Sequence, residues 1–311
     1  MSLAALPRVG IVSSQRMPAD PYTWLRVHVD LGISAFYIMF EDSGDLPRQM
    51  QEYVAGLGKG KPQELVLYYE TRSVDRATEK NYHDLMTRQE AWVNKALDIA
   101  ASHGVDWVFH IDDDEIAFPG NEKDGVASWP EVLQRELDPS CMSVHVENLE
   151  AFSGKKPSRP FFRDPAVRYL PRECAHLYAA YANGKSASRT IRPQRAAGPH
   201  YFGPGKVCEL PVSKGAIGHF EGLSMGKGDD VPPARWVEKN RLRIGNDLSK
   251  IPFQATLDGV AAVQSGDPAR MREVWEKYRT VEGERFKQCK LPAVKLALPS
   301  HKYSAKDVAG P

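Results

Sequence analysis

Apolar positions along the first 118 residues alternate between two periods. "RVGIVSS" (8–14) is a short apolar run ending in small polar residues, the pattern of a buried strand. "PYTWLRVHVDLG" (21–32) then places Trp24, Val27 and Leu31 at helical spacing, with Pro at its start and Gly32 as a stop. "ISAFYIMF" (33–40) and "ELVLYYE" (64–70) are β-branched and aromatic and read as strands. "LPRQMQEYVAGLG" (46–58), lying between them, reads as a helix with a glycine exit. Residues 80–103 carry the strongest helical signal, because Leu85, Ala91, Trp92, Ala96 and Ile99 fall near one face. "VDWVFHI" (105–111) follows as a fourth strand. This alternation predicts βαβ units and a mixed, mostly parallel α/β sheet flanked by helices.

The middle of the chain has a different texture. "CMSVHVENL" (141–149), "AVRYL" (166–170), "SRTIRP" (188–193), "VCELPV" (207–212) and "GAIGHF" (215–220) are short strand candidates between Gly/Pro-rich loops. They predict an antiparallel part continuing the same sheet. Helical patterning returns over 232–248, 256–265 and 268–279, a helical C-terminal appendage. The proline-rich tail is expected on the surface or disordered. We expect a catalytic domain over 1–230, its nucleotide-binding half being 1–118 and its acceptor and metal half 119–230. Residues 231–290 extend that domain and 291–311 form the tail.

Composition narrows the class. At 311 residues with 42% apolar content, the chain can build a sizeable core. The 41 Lys and Arg nearly cancel 40 Asp and Glu, so no general attraction to nucleic acid is present. No apolar run approaches the ~18 residues of a membrane span. The first residues lack the charged start and apolar segment of a secretion signal. Cys141, Cys174, Cys208 and Cys289 form no CxxC pair, which argues against a zinc ribbon and favours free buried thiols. A soluble, cytoplasmic protein is expected.

The chemistry concentrates in "WVFHIDDDEIAFPG" (107–120), where Asp112 to Glu115 end the fourth strand and an apolar segment follows. Ligands of parallel sheets bind beyond the carboxyl ends of the strands, where these acids fall. In an extended geometry Asp112 and Asp114 leave from one face. Two such carboxylates suit a hard divalent cation, Mg2+ or Mn2+, with positions open to phosphate oxygens. An acidic turn meant only for solvent has no reason to run on into a buried segment.

Together with "WLRVHVDLGISAFYIMFEDSGD", the acidic strand resembles the GT-A type of nucleotide-sugar glycosyltransferases, close to families 2 and 92. "RQEAWVNKAL" (88–97) resembles the Arg/Gln and Asn positions of the preceding helix. A looser likeness runs through "GHFEGLSMGKGDDVPPARWVEKNRLRIGN". The resemblance spans roughly residues 8–245, with Ile116 where the family usually has Phe and Gly228 where it tends to have Ser. It implies a GT-A-like (Rossmann-like) fold, a UDP- or GDP-type sugar donor and a glycan, lipid or protein-linked acceptor. It also implies Mn2+ or Mg2+ and inverting, hexosyltransferase-type transfer.

Asp114 is then the first metal ligand, and Asp112 completes the shell or lies nearer the ribose. His219, between a strand and an aromatic, suits a third ligand. Asp113, Lys185, Arg189 and Lys227 are candidates for the diphosphate; Ser13, Ser14, Asp42, Arg88 and Gln89 are candidates for the nucleoside side. An inverting enzyme needs a carboxylate to take the acceptor proton. Glu150, Glu147 and Glu221, in that order, are the candidates. Two rival readings remain. A two-metal phosphohydrolase or nuclease needs paired histidines that the sequence lacks, and a non-catalytic sugar- or nucleotide-binding module would have no reason to keep both acids.

Overall fold

The computed structural model describes residues 5–58, 64–74, 82–120, 128–153, 161–163, 167–171, 173–174, 184–191, 193–220, 232, 234–241, 243–244 and 254–290. Its first part runs β1 (Val9–Arg16), α1 (Pro21–Asp30), β2 (Ala35–Glu41), α2 (Leu46–Gly58), β3 (Val66–Arg72), α3 (Tyr82–Ser102), β4 (Trp107–His110). The second part begins with β5 (Glu115–Phe118), α4 (Trp129–Arg135), β6 (Ser143–Val146), β7 (Asn148–Ser153), β8 (Val167–Tyr169) and β9 (Lys185–Arg189). It continues through β10 (Arg195–Ala196), β11 (Phe202–Gly203), β12 (Val207–Leu210) and β13 (Ala216–His219). Helices α5 (Ala234–Arg241), α6 (Gln254–Ser265) and α7 (Pro268–Gln288) complete the described chain.

The central sheet has seven strands in the order β12-β6-β9-β4-β1-β2-β3. It is mixed and mostly parallel, β9 alone running against both its neighbours, β4 and β6. Period-2 alternation gives each face its own core. Val9, Ile11, Phe36, Ile38, Phe40, Trp107 and Phe109 pack with residues of α1, α2 and α4 on one side. Val12, Ala35, Tyr37, Met39 and Val108 meet Trp92, Val93, Ala96 and Leu97 of α3 on the other. Each large side chain removed from water contributes roughly 1.5–3 kcal/mol, which is why the strands are apolar on both faces.

The chain leaves β1 towards β2 and β3, then crosses to β4 on the opposite side of β1. This reversal leaves a crevice beyond the carboxyl ends of β1 and β4.

Several sequence expectations are corrected. The middle segment does not simply continue the main sheet. β6, β9 and β12 join it, but β5-β13-β7-β8 form a second, four-stranded sheet and β10-β11 a ribbon. The strand expected over 188–193 lies earlier, at Lys185–Arg189. The helix expected over 232–248 is described only as Ala234–Arg241, whereas the last helix runs well past residue 279. The tail, 291–311, lies outside the described residues. The four cysteines are not free thiols: Cys141 pairs with Cys208 and Cys174 with Cys289. Among the described residues no helix is long and apolar enough to cross a membrane.

Candidate functional site: an acidic crevice at the sheet reversal

The four acids occupy a tight turn between two sheets, not an extended strand end. β4 stops at His110, the Glu115 N–H donates to the Asp112 carbonyl at 3.2 Å, and β5 departs to pair with β13. Helix α1 builds this turn through residues one helical turn apart. Trp24 Nε1 donates to the Asp112 and Glu115 carbonyls at 3.2 and 2.8 Å. His28 holds the Trp24 carbonyl through Nδ1 and accepts the Ala117 N–H at Nε2, 3.2 Å away. Burial of the neutral ring drives the His28 pKa down to about 3, so it stays uncharged.

Three of the four acids are shielded from solvent. Asp113, Asp114 and Glu115 are buried, and Asp112 alone keeps its side chain substantially exposed, at 36%. A cation faces them. Lys185 Nζ lies 2.7 Å from Asp112 Oδ2 and 3.4 Å from Glu115 Oε2, itself almost wholly buried. Burial works to lower the lysine pKa, but Asp112 and Glu115 outweigh it and hold the ammonium charged. Burial likewise works to raise Asp112, and Lys185 and His110 outweigh it, leaving the carboxyl below its usual range. Glu115, deeper and closer to the other acids, is pushed up instead by burial. Its Oε2 also accepts the Asp112 N–H at 2.8 Å.

Gly184 gives Lys185 its position. At φ +49° a side chain there would run into the Val146 carbonyl and the His145 ring.

The acids border a crevice of about 210 Å3. Asp112, Asp113, Asp114, Lys185, His200 and His219 line it, together with the apolar side chains of Met17, Leu85 and Met86 and the amide of Gln89. Ser14, Arg16 and Glu41 contribute strand ends, and Glu238 and Lys239 of α5 form a further wall. Met17 has φ +51°, a left-handed conformation that costs a non-glycine residue roughly 1–2 kcal/mol. Arg16 contacts Asp42 at 2.9 Å and Glu238 at 3.4 Å, joining β1 to α5 across the crevice.

The expected site residues divide clearly. Ser14, Gln89, Asp112, Asp113, Asp114, Lys185 and His219 line this crevice. Ser13 does not; alternation turns it into the core, where its hydroxyl has no partner. Asp42 lines a separate depression and is occupied by Arg16 and by the Val74 N–H at 3.0 Å. Arg88 is bound to Glu41 by two hydrogen bonds of 3.0 and 3.3 Å. Arg189 is at the opposite edge of the sheet. It pairs with Trp107 at the start of β4, covers that indole at 4.7 Å and donates to the Cys141 carbonyl. Four residues of strand, roughly 13 Å, separate it from Lys185.

Of the three acids expected as base, Glu147 lies between β6 and β7, where its carbonyl accepts the Ile217 N–H, and does not line the crevice. Glu150 is buried with Oε2 2.7 Å from His219 Nδ1. Glu221 and Lys227 lie outside the described residues. Sequence reasoning missed Arg16, Met17, Glu41, Met86, Pro199, His200, Glu238 and Lys239. A stricter use of period-2 alternation selects Ser14 and Arg16 over Ser13 from "SSQR".

Among the described residues, no three His, Cys, Asp or Glu side chains are grouped to hold a metal ion. Two face one another suitably: Asp114 Oδ1 and His219 Nε2 are 4.0 Å apart. Two ligands about 2.1 Å from one Mg2+ stand roughly 3.0 Å apart when cis and about 4.2 Å when trans, so these side chains would hold one ion as a cis pair after closing by about 1 Å, with substrate oxygens and water completing it. Asp112, expected as a ligand beside Asp114, accepts from Lys185 Nζ at Oδ2, 2.7 Å away.

No family model matches the chain. Over 227 residues it is 22% identical to a curated Arabidopsis thaliana protein described as glycosyltransferase-like, covering 62% of this chain and 49% of that protein. The chain thus spans about half the length of that relative. A solved structure of CMP:2-keto-3-deoxy-manno-octonic acid synthetase complexed with CTP shares 11% identity, covering 59% of this chain and 74% of its own. Its TM-score of 0.25 carries no argument about this chain.

Proposed function

We propose that this chain transfers a sugar from a nucleotide-diphosphate sugar to an acceptor hydroxyl, with Mn2+ or Mg2+ held by Asp114 and His219. One observation carries the reading. At the crevice of a reversing parallel sheet, three consecutive carboxylates, Asp112, Asp113 and Asp114, stand beside His219, with Lys185 bound to Asp112. A diphosphate approaching three such acids is repelled; a divalent cation arriving with it offsets that repulsion. When bound, such an ion stabilises charge on the departing diphosphate.

This chain's own residues supply the rest. Met17, Leu85 and Met86 offer an apolar wall for a nucleobase, with Gln89 and Ser14 as hydrogen-bonding groups beside it. Lys185 holds Asp112 in place, and Lys239 adds positive charge from α5. The relative's description as glycosyltransferase-like supports the class. Membership of families 2 or 92, hexosyl transfer and inversion belong to the proposal. So do a glycan, lipid or protein-linked acceptor and a UDP- or GDP-type donor.

The test is a donor screen with UDP- and GDP-sugars, reading released nucleoside diphosphate with Mn2+, Mg2+ or EDTA. Release should require metal, and Asp114→Asn should lose metal-dependent nucleotide binding while staying folded. Product NMR then reads the anomeric configuration. Turnover of a generic phosphoester without a sugar donor would favour the phosphohydrolase reading. Nucleotide stabilisation that persists in EDTA would remove the cation.

A further inference from the structure

We infer that Glu150, the first sequence candidate for the base, is instead a positioning residue that sets which nitrogen of His219 faces Asp114. The inference rests on the cation reading above and adds to it a residue outside the crevice.

The fold itself makes the contact. β7 and β13 are parallel neighbours with Glu150 and His219 directly in register. Both side chains are enclosed, at 5% and 15% exposure, and Glu150 Oε2 meets His219 Nδ1 at 2.7 Å. With Glu150 ionised, the carboxylate only accepts, and a neutral His219 then carries its proton on Nδ1. In the neutral ring the lone pair is then on Nε2, which lies 4.0 Å from Asp114 Oδ1. The backbone at Asp114 is anchored to the same segment, its carbonyl accepting the Phe220 N–H at 2.7 Å, one residue past His219. The Asp114 carboxylate and His219 Nε2 therefore face each other at a separation that closes onto one divalent ion with a shift of about 1 Å.

A carboxylate on the far nitrogen of a ligating histidine fixes its tautomer and raises its basicity, and its loss typically weakens metal binding by roughly 10–100-fold. A general base has different requirements. It must reach the acceptor hydroxyl, and Glu150 neither lines the crevice nor has that oxygen disengaged from His219.

The experiment titrates Mn2+ into the wild-type protein, Glu150→Gln, Glu150→Ala and His219→Ala. It follows the free-ion EPR signal and the 14N coupling in pulsed EPR. Melting in EDTA reports folding separately. Wild type should bind Mn2+ with a histidine nitrogen coupling that His219→Ala abolishes. Glu150→Ala should weaken Mn2+ about 10–100-fold and reduce the coupling. Glu150→Gln, whose amide oxygen still accepts from Nδ1, should lose less, about tenfold. Wild-type Mn2+ affinity and coupling in folded Glu150→Ala would overturn the assignment while leaving the cation in place. If Glu150→Ala does not fold, Glu150→Leu, which accepts nothing from Nδ1, takes its place, and wild-type affinity and coupling there overturn the assignment equally. Wild-type protein that leaves the Mn2+ signal unchanged removes the cation reading and this inference together.

Discussion

Lys185 explains why four acids can stand in sequence at the end of a buried strand. Its ammonium is within 3.4 Å of Asp112 and Glu115 carboxylate oxygens and has almost no contact with water. Such a group is costly to bury alone and costly to remove, because the carboxylates then lose their countercharge. Lys185→Met should destabilise the protein by roughly 3–5 kcal/mol, read from urea unfolding. A loss below about 1 kcal/mol would mean that the pair relaxes into water and that Asp112 never depended on the lysine. Glu115 limits the figure, since at 3% exposure and with its carboxyl already pushed up by burial it takes up a proton once the ammonium is gone. At this scale the sequence showed the acids and not their partner. Lys185 is 70 residues beyond Glu115 in the chain, and only the antiparallel placement of β9 against β4 brings it back. Arg189, four positions on, looks equally suitable in the sequence and lands on the wrong edge of the sheet.

Among elements, α1 carries the site more than any strand does. Trp24 and His28 sit one helical turn apart and pin the acidic turn and β5 to the helix. This gives a pH dependence with a definite sign. The folded His28 titrates near 3 because burial disfavours its charge, against 6.5 for the unfolded ring. Between these values the unfolded chain takes up a proton that the folded chain refuses. Stability should therefore be flat above about pH 6.5 and fall below it, by up to ~1.4 kcal/mol per pH unit for this group. His110, buried with a pKa near 3, adds a second proton in the same direction. His28→Gln keeps an acceptor for Ala117 and a donor for Trp24, and should make the fall shallower by one proton. Equal slopes for variant and wild type between pH 7 and 4 would contradict the assignment. The elements of the first half were legible because both faces of each strand are apolar and each helix has one apolar stripe. β5 was not. "DDDEIAF" continues an apolar strand without punctuation, and the turn inside it depends on hydrogen bonds from Trp24, 88 residues away. The second sheet was hidden for the same reason: its strands are four residues or so, and which sheet each joins is a tertiary fact.

Across the molecule, the two disulfides tie different parts of the fold. Their spacings, 67 and 115 residues, carry no motif, so the sequence favoured free thiols; only the 5.8 Å approach of each Cα pair joins them. Structural disulfides persist in oxidising compartments, so the cysteines no longer support a cytoplasmic location. Oxidised protein should therefore weigh less than its reduced form by four hydrogens, and reduction should lower its melting temperature. The two bonds should also differ in effect. Cys141–Cys208 fastens the β6–β12 edge of the sheet, beyond β9 from the acidic turn. Cys174–Cys289 ties the residue after α7 to the segment following β8. Helix α7 packs Trp275 against Trp236 of α5 at 5.6 Å, and α5 presents Glu238 and Lys239 to the crevice. Cutting the second bond releases one anchor of that wall, whereas cutting the first leaves it held. Each paired Cys→Ser variant should lose roughly 2–5 kcal/mol of stability. Nucleotide affinity should fall in Cys174→Ser/Cys289→Ser and hold in Cys141→Ser/Cys208→Ser, measured by calorimetry at a temperature where both are folded. If the two variants bind alike, α5 is kept in place by its tryptophan contact alone, and the second disulfide serves stability without serving the site.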